Sequence, residues 1–277
     1  MKKEVVILVI AHKAILDEHE IVSLKQLYKI LGKHPIKFIC PEGLNISKYK
    51  EIIDNPEFDF IDPWWQSTYA NFNKLKISPL LYKKYKNYKY ILFYEPDAYV
   101  FRDDLLYWCA KGYDYIGAPW FDGWSKANEN SKFMGVGNGG FSLRKIDSAL
   151  AIWKWYNFYK IRKPNSILVE EFKARNNELS WFKKLGSLKY LIFQILGKNN
   201  NTLFHIDHWY ENEDVFWVKY IPTYFPKLKV APYNEAYAFS FEVNASMLYK
   251  KNNNQLPFGC HAWQKYEYEK FWKKHIS

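Results

Sequence analysis

The run from Tyr90 to Arg102 limits what this chain can fold into more than any other stretch. Tyr90-Ile91-Leu92-Phe93-Tyr94 is apolar and aromatic throughout, with helical sequence on both sides. A continuous apolar run in that setting predicts a central, buried, parallel strand of an α/β sheet. Pro96 has no N–H to continue a ladder, so the strand should stop there. It delivers two carboxylates, Glu95 and Asp97, separated by one residue. Ligands of open α/β sheets gather beyond the carboxyl ends of such strands. Two hard oxygen ligands at that place suit Mg²⁺ or Mn²⁺ carrying a phosphate-bearing substrate. An ordinary acidic turn would show the same spacing.

The N-terminal residues supply the flanking structure. Val5-Val6-Ile7-Leu8-Val9-Ile10 is a second buried-strand signal, with His12 and Lys13 at its carboxyl end. Asp17 and Glu20 read as an N-cap residue and its acidic N3 partner. Ile21, Leu24, Tyr28 and Leu31 then share one helical face, and Gly32 is a stop. Ile36 to Cys40 is the next strand. This β-α-β opening predicts right-handed crossovers and a mainly parallel sheet. It lacks a Gly-x-Gly-x-x-Gly turn, which argues against a dinucleotide site. Phe58 to Ile61 reads as a short third strand. Asp62-Pro63-Trp64-Trp65 breaks regular structure, and Tyr69 to Tyr85 reads as a helix restarting at Pro79. Asn73 and Lys74 lie on that helix, facing either a nucleotide or solvent.

Beyond the central strand, Asp103 to Lys111 reads as a helix with acids at its positive end. Tyr113 to Ile116 reads as a strand turned by Gly117-Ala118-Pro119-Trp120, and residues 121–135 as a mobile loop beside a site. Gly135-Val136-Gly137-Asn138-Gly139-Gly140 is dense enough in glycine for a close backbone approach to a ligand or for positive φ; a tight hairpin is the alternative. Asp147 to Tyr159 is helical. Residues 160–205 read as a helical excursion, in which Trp181 to Lys198 is basic and aromatic. Such a segment either lies on an anionic membrane surface or packs on the core with its lysines wet. Asn212-Glu213-Asp214 places two acids before an apolar helical turn, as a cap or at the mouth of a pocket. His261 stands among apolar residues, as a structural histidine or as a third metal ligand.

A length of 277 residues fits one large domain with or without an appendage. The 20% aromatic content, with 12 Trp, has two outlets: a bulky core, or stacking surfaces for sugars and bases. The three cysteines have no metal-like spacing and fit a reducing compartment. No signal peptide or membrane span is visible, so a cytoplasmic location is expected. A net charge of +11 points to nucleic acid, an anionic membrane face, phosphorylated substrates, or a Lys-rich wet surface. Nucleic acid ranks last, since its binding motifs are absent.

The order of these features resembles the GT-A class of nucleotide-sugar glycosyltransferases. The class's DxD motif, glycine-rich loop, xED motif and C-terminal metal-binding His align with Glu95-Pro96-Asp97, Gly137-Asn138-Gly139-Gly140, Asn212-Glu213-Asp214 and His261. The surrounding residues, including Tyr-Ile-Gly-Ala-Pro-Trp and Asn-Glu-Asp-Val-Phe-Trp, look like those of a bacterial glycosyltransferase family. The resemblance implies a single GT-A domain over 1–277: a Rossmann-like, mainly parallel α/β sheet flanked by helices, with 160–205 as an insertion facing membrane or acceptor. It implies a divalent cation, Mn²⁺ or Mg²⁺, on Asp97 and His261 with help from Glu95. A Glu at the first acidic position shifts the weight of coordination to Asp97. It implies Asp214 as general base, Glu213 on sugar hydroxyls or positioning its helix, and inversion at the anomeric centre. His12, Lys74, Trp120, Asn138, Gly139, Gly140 and Trp263 become candidate donor- or acceptor-binding residues. The donor implied is a nucleotide sugar, with a UDP-sugar favoured. The acceptor is a glycan or lipid-linked glycan of bacterial surface polysaccharide or lipooligosaccharide, at the inner membrane face. The competing readings are a nucleotide-sugar-binding or hydrolysing protein without transfer, and a peripheral membrane scaffold.

Overall fold

The computed structural model describes residues 2–158, 185, 188, 191, 192, 206 and 209–276. The chain divides into two compact units, Met1–Ala149 with Glu211–Ser277, and Leu150–Tyr210. The basic aromatic segment Trp181 to Lys198 lies almost wholly outside the described residues; Leu185, Leu188 and Ile192 are exposed and Leu191 is buried. Among the described residues no helix is long and apolar enough to cross a membrane.

The first unit is built on a six-stranded sheet. Its strands are β1 (Lys3–Ile10), β2 (Ile36–Pro41), β3 (Phe58–Ile61), β4 (Tyr88–Tyr94), β6 (Tyr115–Ile116) and β9 (Phe141–Lys145), in the order β3-β2-β1-β4-β9-β6. β3, β2, β1 and β4 run parallel, while β9 is antiparallel to β4 and to β6. Helices α1 (Glu18–Leu31), α2 (Ser47–Ile52), α3 (Tyr69–Ile77), α4 (Pro79–Lys84) and α5 (Leu105–Ala110) connect the strands. The result is a mixed, mainly parallel α/β architecture, as the uninterrupted apolar strands require. Val6, Ile7, Leu8 and Val9 of β1 and Ile91, Leu92, Phe93 and Tyr94 of β4 are fully buried. Each such side chain contributes about 1.5–3 kcal/mol of transfer free energy.

Local signals act where they are read. Asp17 accepts from the Glu20 N–H, and the Glu20 carboxylate accepts from the Asp17 N–H, closing a capping box on α1. The helix after Thr68 ends at Ile77 and restarts at Pro79, because a proline can occupy a first helical turn but not an interior one. β4 ends at Tyr94, just before the Glu95-Pro96 turn.

Asp62-Pro63-Trp64-Trp65 separates strand from helix, by a single 3₁₀ turn over Pro63–Gln66 capped by the Asp62 carboxylate on the Trp64 N–H. One local expectation fails. The expected turn at Gly117 to Trp120 is strand β7 (Ala118–Phe121), paired antiparallel with β8 (Phe133–Gly137), so the expected loop keeps only residues 122–132. A two-stranded ribbon leaves one edge of β7 open, and there Pro119 costs no ladder bond.

A small second sheet positions the end of the chain. β5 (Ala98–Val100) pairs antiparallel with β11 (Gly259–His261), and β11 lies parallel to β10 (Ser240–Phe241). The register sets Ala98 opposite His261, and the Ala262 N–H donates to the Asp97 carbonyl at 3.0 Å. A residue 164 positions along the chain is thereby fixed beside the end of the central strand, as the numbers 97 and 261 show.

Candidate active site

The turn after β4 is tight. The Glu95 N–H donates to the Gly140 carbonyl, and the Ala98 N–H returns to the Glu95 carbonyl, each at 2.8 Å. Both carboxylates therefore leave one short turn at the carboxyl end of the strand. His261 Nε2 lies 3.0 Å from Asp97 Oδ1 and 3.6 Å from Glu95 Oε2. One ligand atom from each of Glu95, Asp97 and His261 falls within 4.8 Å of the others. Nε2 is buried and makes no hydrogen bond of good geometry. Nδ1 lies 3.1 Å from Glu242 Oε1, which orients the ring and leaves Nε2 for a cation. Burial alone would lower the imidazole pKa. Asp97, Glu242 and Glu95 outweigh burial and raise it well above the ordinary value. A proton and a divalent cation thus compete for Nε2. Two carboxylate oxygens and one imidazole nitrogen fit Mn²⁺ or Mg²⁺, with the nitrogen favouring Mn²⁺.

Behind this cluster runs a buried ion-pair network that the sequence does not announce. Lys76 Nζ, at the end of α3, contacts Glu95 Oε1 at 2.7 Å, the Gly139 carbonyl at 2.8 Å and Glu213 Oε1 at 3.0 Å. Arg144 on β9 grips both oxygens of Glu213, with Nη2–Oε1 2.8 Å and Nη1–Oε2 2.6 Å. Lys76, Arg144 and Glu213 are each about 2% exposed. Burial would neutralise the lysine, but the Glu213 and Glu95 charges raise its pKa and keep the ammonium. Burial likewise opposes ionisation of Glu95, and Lys76 and His261 overcome it, holding Glu95 far below the usual carboxylate range. Glu213 is therefore tied down on both oxygens and joins the two acidic motifs.

Asp214 is held differently. Its Oδ2 accepts from the Asn138 N–H at 3.0 Å, and its Oδ1 from the Val215 N–H at 2.9 Å. The Glu213 N–H donates to Asn73 Oδ1 at 3.0 Å, fixing the start of this short helix, Glu213–Val215. Burial, followed by the Glu213 and Glu242 charges, pushes the Asp214 carboxyl up to about 7. Asp214 faces a cavity of about 190 Å³, whose walls include Trp120, Trp124, Asn212, Glu242 and Tyr266.

The glycine-rich stretch serves this packing. Positive φ falls on Asn138, at 71°, whose side chain then accepts from the Gly140 N–H at 3.0 Å. A Cβ on Gly139 would meet Glu213 Oε1 at 1.9 Å, and one on Gly140 would meet His261 Nε2 at 2.0 Å. Glycine is required because functional side chains press directly on the backbone. Gly140→Ala should therefore displace the imidazole and weaken Mn²⁺ binding by about tenfold or more, as loss of ligand orientation does elsewhere. Isothermal titration with Mn²⁺ checks this, and unchanged affinity would contradict it.

The other expected residues separate. Trp120 lines the cavity. Trp263 is buried against His19, Tyr99 and Tyr268, with ring centroids 5.0, 6.1 and 5.7 Å away. It belongs to the core around the second sheet. His12 is exposed after β1. Lys74 stacks over Trp64 at 5.7 Å, and the buried lysine of that helix is Lys76. Lys76, Arg144 and Glu242 are the residues that sequence reasoning missed; only the apolar neighbours Leu75 and Ile77 hinted at the first.

Fold and site define an α/β protein with a carboxylate–imidazole cluster at a strand end, beside a buried carboxylate in an aromatic-walled cavity. The chain belongs to the family described as "Protein of unknown function (DUF5672)", whose model matches residues 55–261. No curated protein matches it. Among solved structures it is similar to mouse xyloside xylosyltransferase 1 in its apo form, at 11% identity and TM-score 0.47, covering 94% of this chain and 97% of that one. It is similar to a glycosyltransferase involved in the glycosylation of the major capsid of PBCV-1, at 10% identity and TM-score 0.40, covering 99% and 98%. It is also similar to A197 from STIV, at 14% identity and TM-score 0.32, covering 53% of this chain and 66% of that one.

Proposed function

We propose that this chain is a metal-dependent glycosyltransferase that moves a sugar from a nucleotide sugar, a UDP-sugar by preference, to a hydroxyl of a glycan or lipid-linked acceptor, with inversion. The observation that carries this reading is the double position of Glu242. It touches His261 of the cation-ligand cluster and also lines the cavity that Asp214 faces. Glu242 thus links the cation-ligand cluster to the cavity that Asp214 faces, although these residues come from distant parts of the sequence. Asp97 and His261, with Glu95 Oε2, would hold the cation. When bound, a divalent cation there would neutralise negative charge on a departing diphosphate.

The protein's own groups account for the rest. Lys76 occupies Glu95 Oε1, so that carboxylate has one oxygen left to offer. Glu213 is a positioning residue, locked by Lys76 and Arg144. Asp214 would accept the proton of the acceptor hydroxyl; each of its oxygens receives one N–H and keeps a further lone pair. Attack assisted from that wall, opposite the nucleotide, inverts the anomeric centre. The +11 net charge supports an anionic setting such as the inner membrane face during bacterial surface polysaccharide or lipooligosaccharide synthesis.

The test is turnover of a nucleotide-sugar panel with Mn²⁺, with the anomeric proton coupling of the product read by NMR. An α-linked donor should give a β product, and an α product would remove Asp214 as base. Asp97→Asn should abolish both the Mn²⁺-induced thermal shift and transfer; a variant that keeps both would take Asp97 out of the cation site. Nucleotide release without a glycoside would favour the hydrolase reading.

A further inference from the structure

We propose that the cavity facing Asp214 is an acceptor subsite that takes an uncharged sugar ring and rejects uronates and phosphorylated sugars. This rests on the transferase reading and adds the charge class of the acceptor. The composition of the whole chain points the other way, since +11 suggests an anionic partner. The cavity wall reverses that sign locally. Among the described residues its ionisable carboxyl groups are Asp214 and Glu242, and no described Lys, Arg or His lines it. Lys219 lies over the indoles of Trp120 and Trp124, 5.4 and 4.9 Å from their centroids, and Lys265 over the Tyr266 ring at 5.2 Å; neither is among the described lining residues.

An anionic substituent in this space would face the carboxyl groups of Asp214 and Glu242 directly, whereas the cations that act on them, His261 beside Glu242 and Lys76 and Arg144 near Asp214, are not among the described lining residues. Sugar hydroxyls meet the opposite situation. Each carboxylate accepts O–H donors strongly, and indole faces offer apolar area to the C–H side of a ring. Trp120 and Trp124 lie 5.3 Å apart at 58°, forming a corner rather than a flat wall. A volume of about 190 Å³ suits one ring, not a chain of them. Any anionic remainder of the acceptor would lie outside the cavity.

Saturation-transfer NMR without donor or cation tests this. The probes are methyl glucoside, methyl galactoside and methyl N-acetylglucosaminide, against methyl glucuronide and glucose 6-phosphate. At least one neutral glycoside should bind about tenfold more tightly than either anionic sugar, the effect of one unfavourable like-charge contact. Trp124→Ala, at a half-exposed position, should lose most of that signal. Asp214→Asn with Glu242→Gln should bring neutral and anionic sugars to within about twofold. Anionic sugars binding as well as neutral ones, no binding of any probe, or a Trp124→Ala variant that binds normally would each overturn the proposal. Because no nucleotide sugar is present, failure here is distinct from failure of the transferase reading, which is scored by donor turnover.

Discussion

Asp214→Asn should lower turnover by about 10²–10⁴-fold, the usual worth of a positioned general base, and should remove the rise of rate with pH. The wild-type rate should climb through a midpoint near 7, because burial and the Glu213 and Glu242 charges push the Asp214 carboxyl up to about 7 and only the ionised form accepts a proton. The sign for stability is opposite. A carboxyl whose folded pKa lies above its unfolded value binds more protons in the folded state. Its favourable contribution is complete below the unfolded value of 3.8 and is lost as pH rises through about 7. Asp214→Asn should therefore be more stable than wild type at pH 8 by on the order of a few kcal/mol, and less different at pH 5. Urea unfolding at the two pH values, together with a pH–rate profile, checks both. A variant that is inactive and also less stable at pH 8 would make Asp214 a structural residue.

The second large effect is on folding. Lys76→Met should destabilise the protein by about 3–5 kcal/mol, the cost of stripping a partner from a buried ion pair. Lys76 and Arg144 balance Glu95 and Glu213 one for one, and Lys76, Arg144 and Glu213 are essentially sealed from water. Removing the ammonium leaves one carboxylate too many in a low-dielectric space, which must protonate or drag water inward. Glu213→Gln alone should cost a similar amount by leaving one cation in excess, since Lys76 keeps Glu95 while Arg144 loses its carboxylate partner. The double variant should cost clearly less than the sum, because the remaining Arg144 and Glu95 again cancel in charge. Urea midpoints for the three variants decide the matter; additive losses would show that these groups do not act as one network.

Much of the scaffold was legible because it is local. Tyr90 to Tyr94 could only be a strand buried on both faces, and Pro96 had to end it. Asp17 with Glu20 closes a cap within four residues, and Pro79 restarts a helix by its own ring geometry. Glu95 and Asp97 had to emerge together, since nothing but Pro96 lies between them. The misread stretches are those where a partner decides. Gly117 to Trp120 carries turn residues yet becomes a strand, because β8 pairs with it. Trp263 has the composition of a stacking platform, but His19, Tyr99 and Tyr268 enclose it.

The sequence by itself determined the strand that ends in two acids, the helices that flank it, and the set of residues able to bind a cation or accept a proton. Only the tertiary structure decided which of them meet. The pairing of β11 with β5 sets His261 against Asp97, and Lys76, which reads as one more surface lysine, becomes the buried counter-charge of Glu95 and Glu213. The reason is physical: a residue's charge and its reach are intrinsic, whereas burial and partnership depend on what the rest of the chain packs against it.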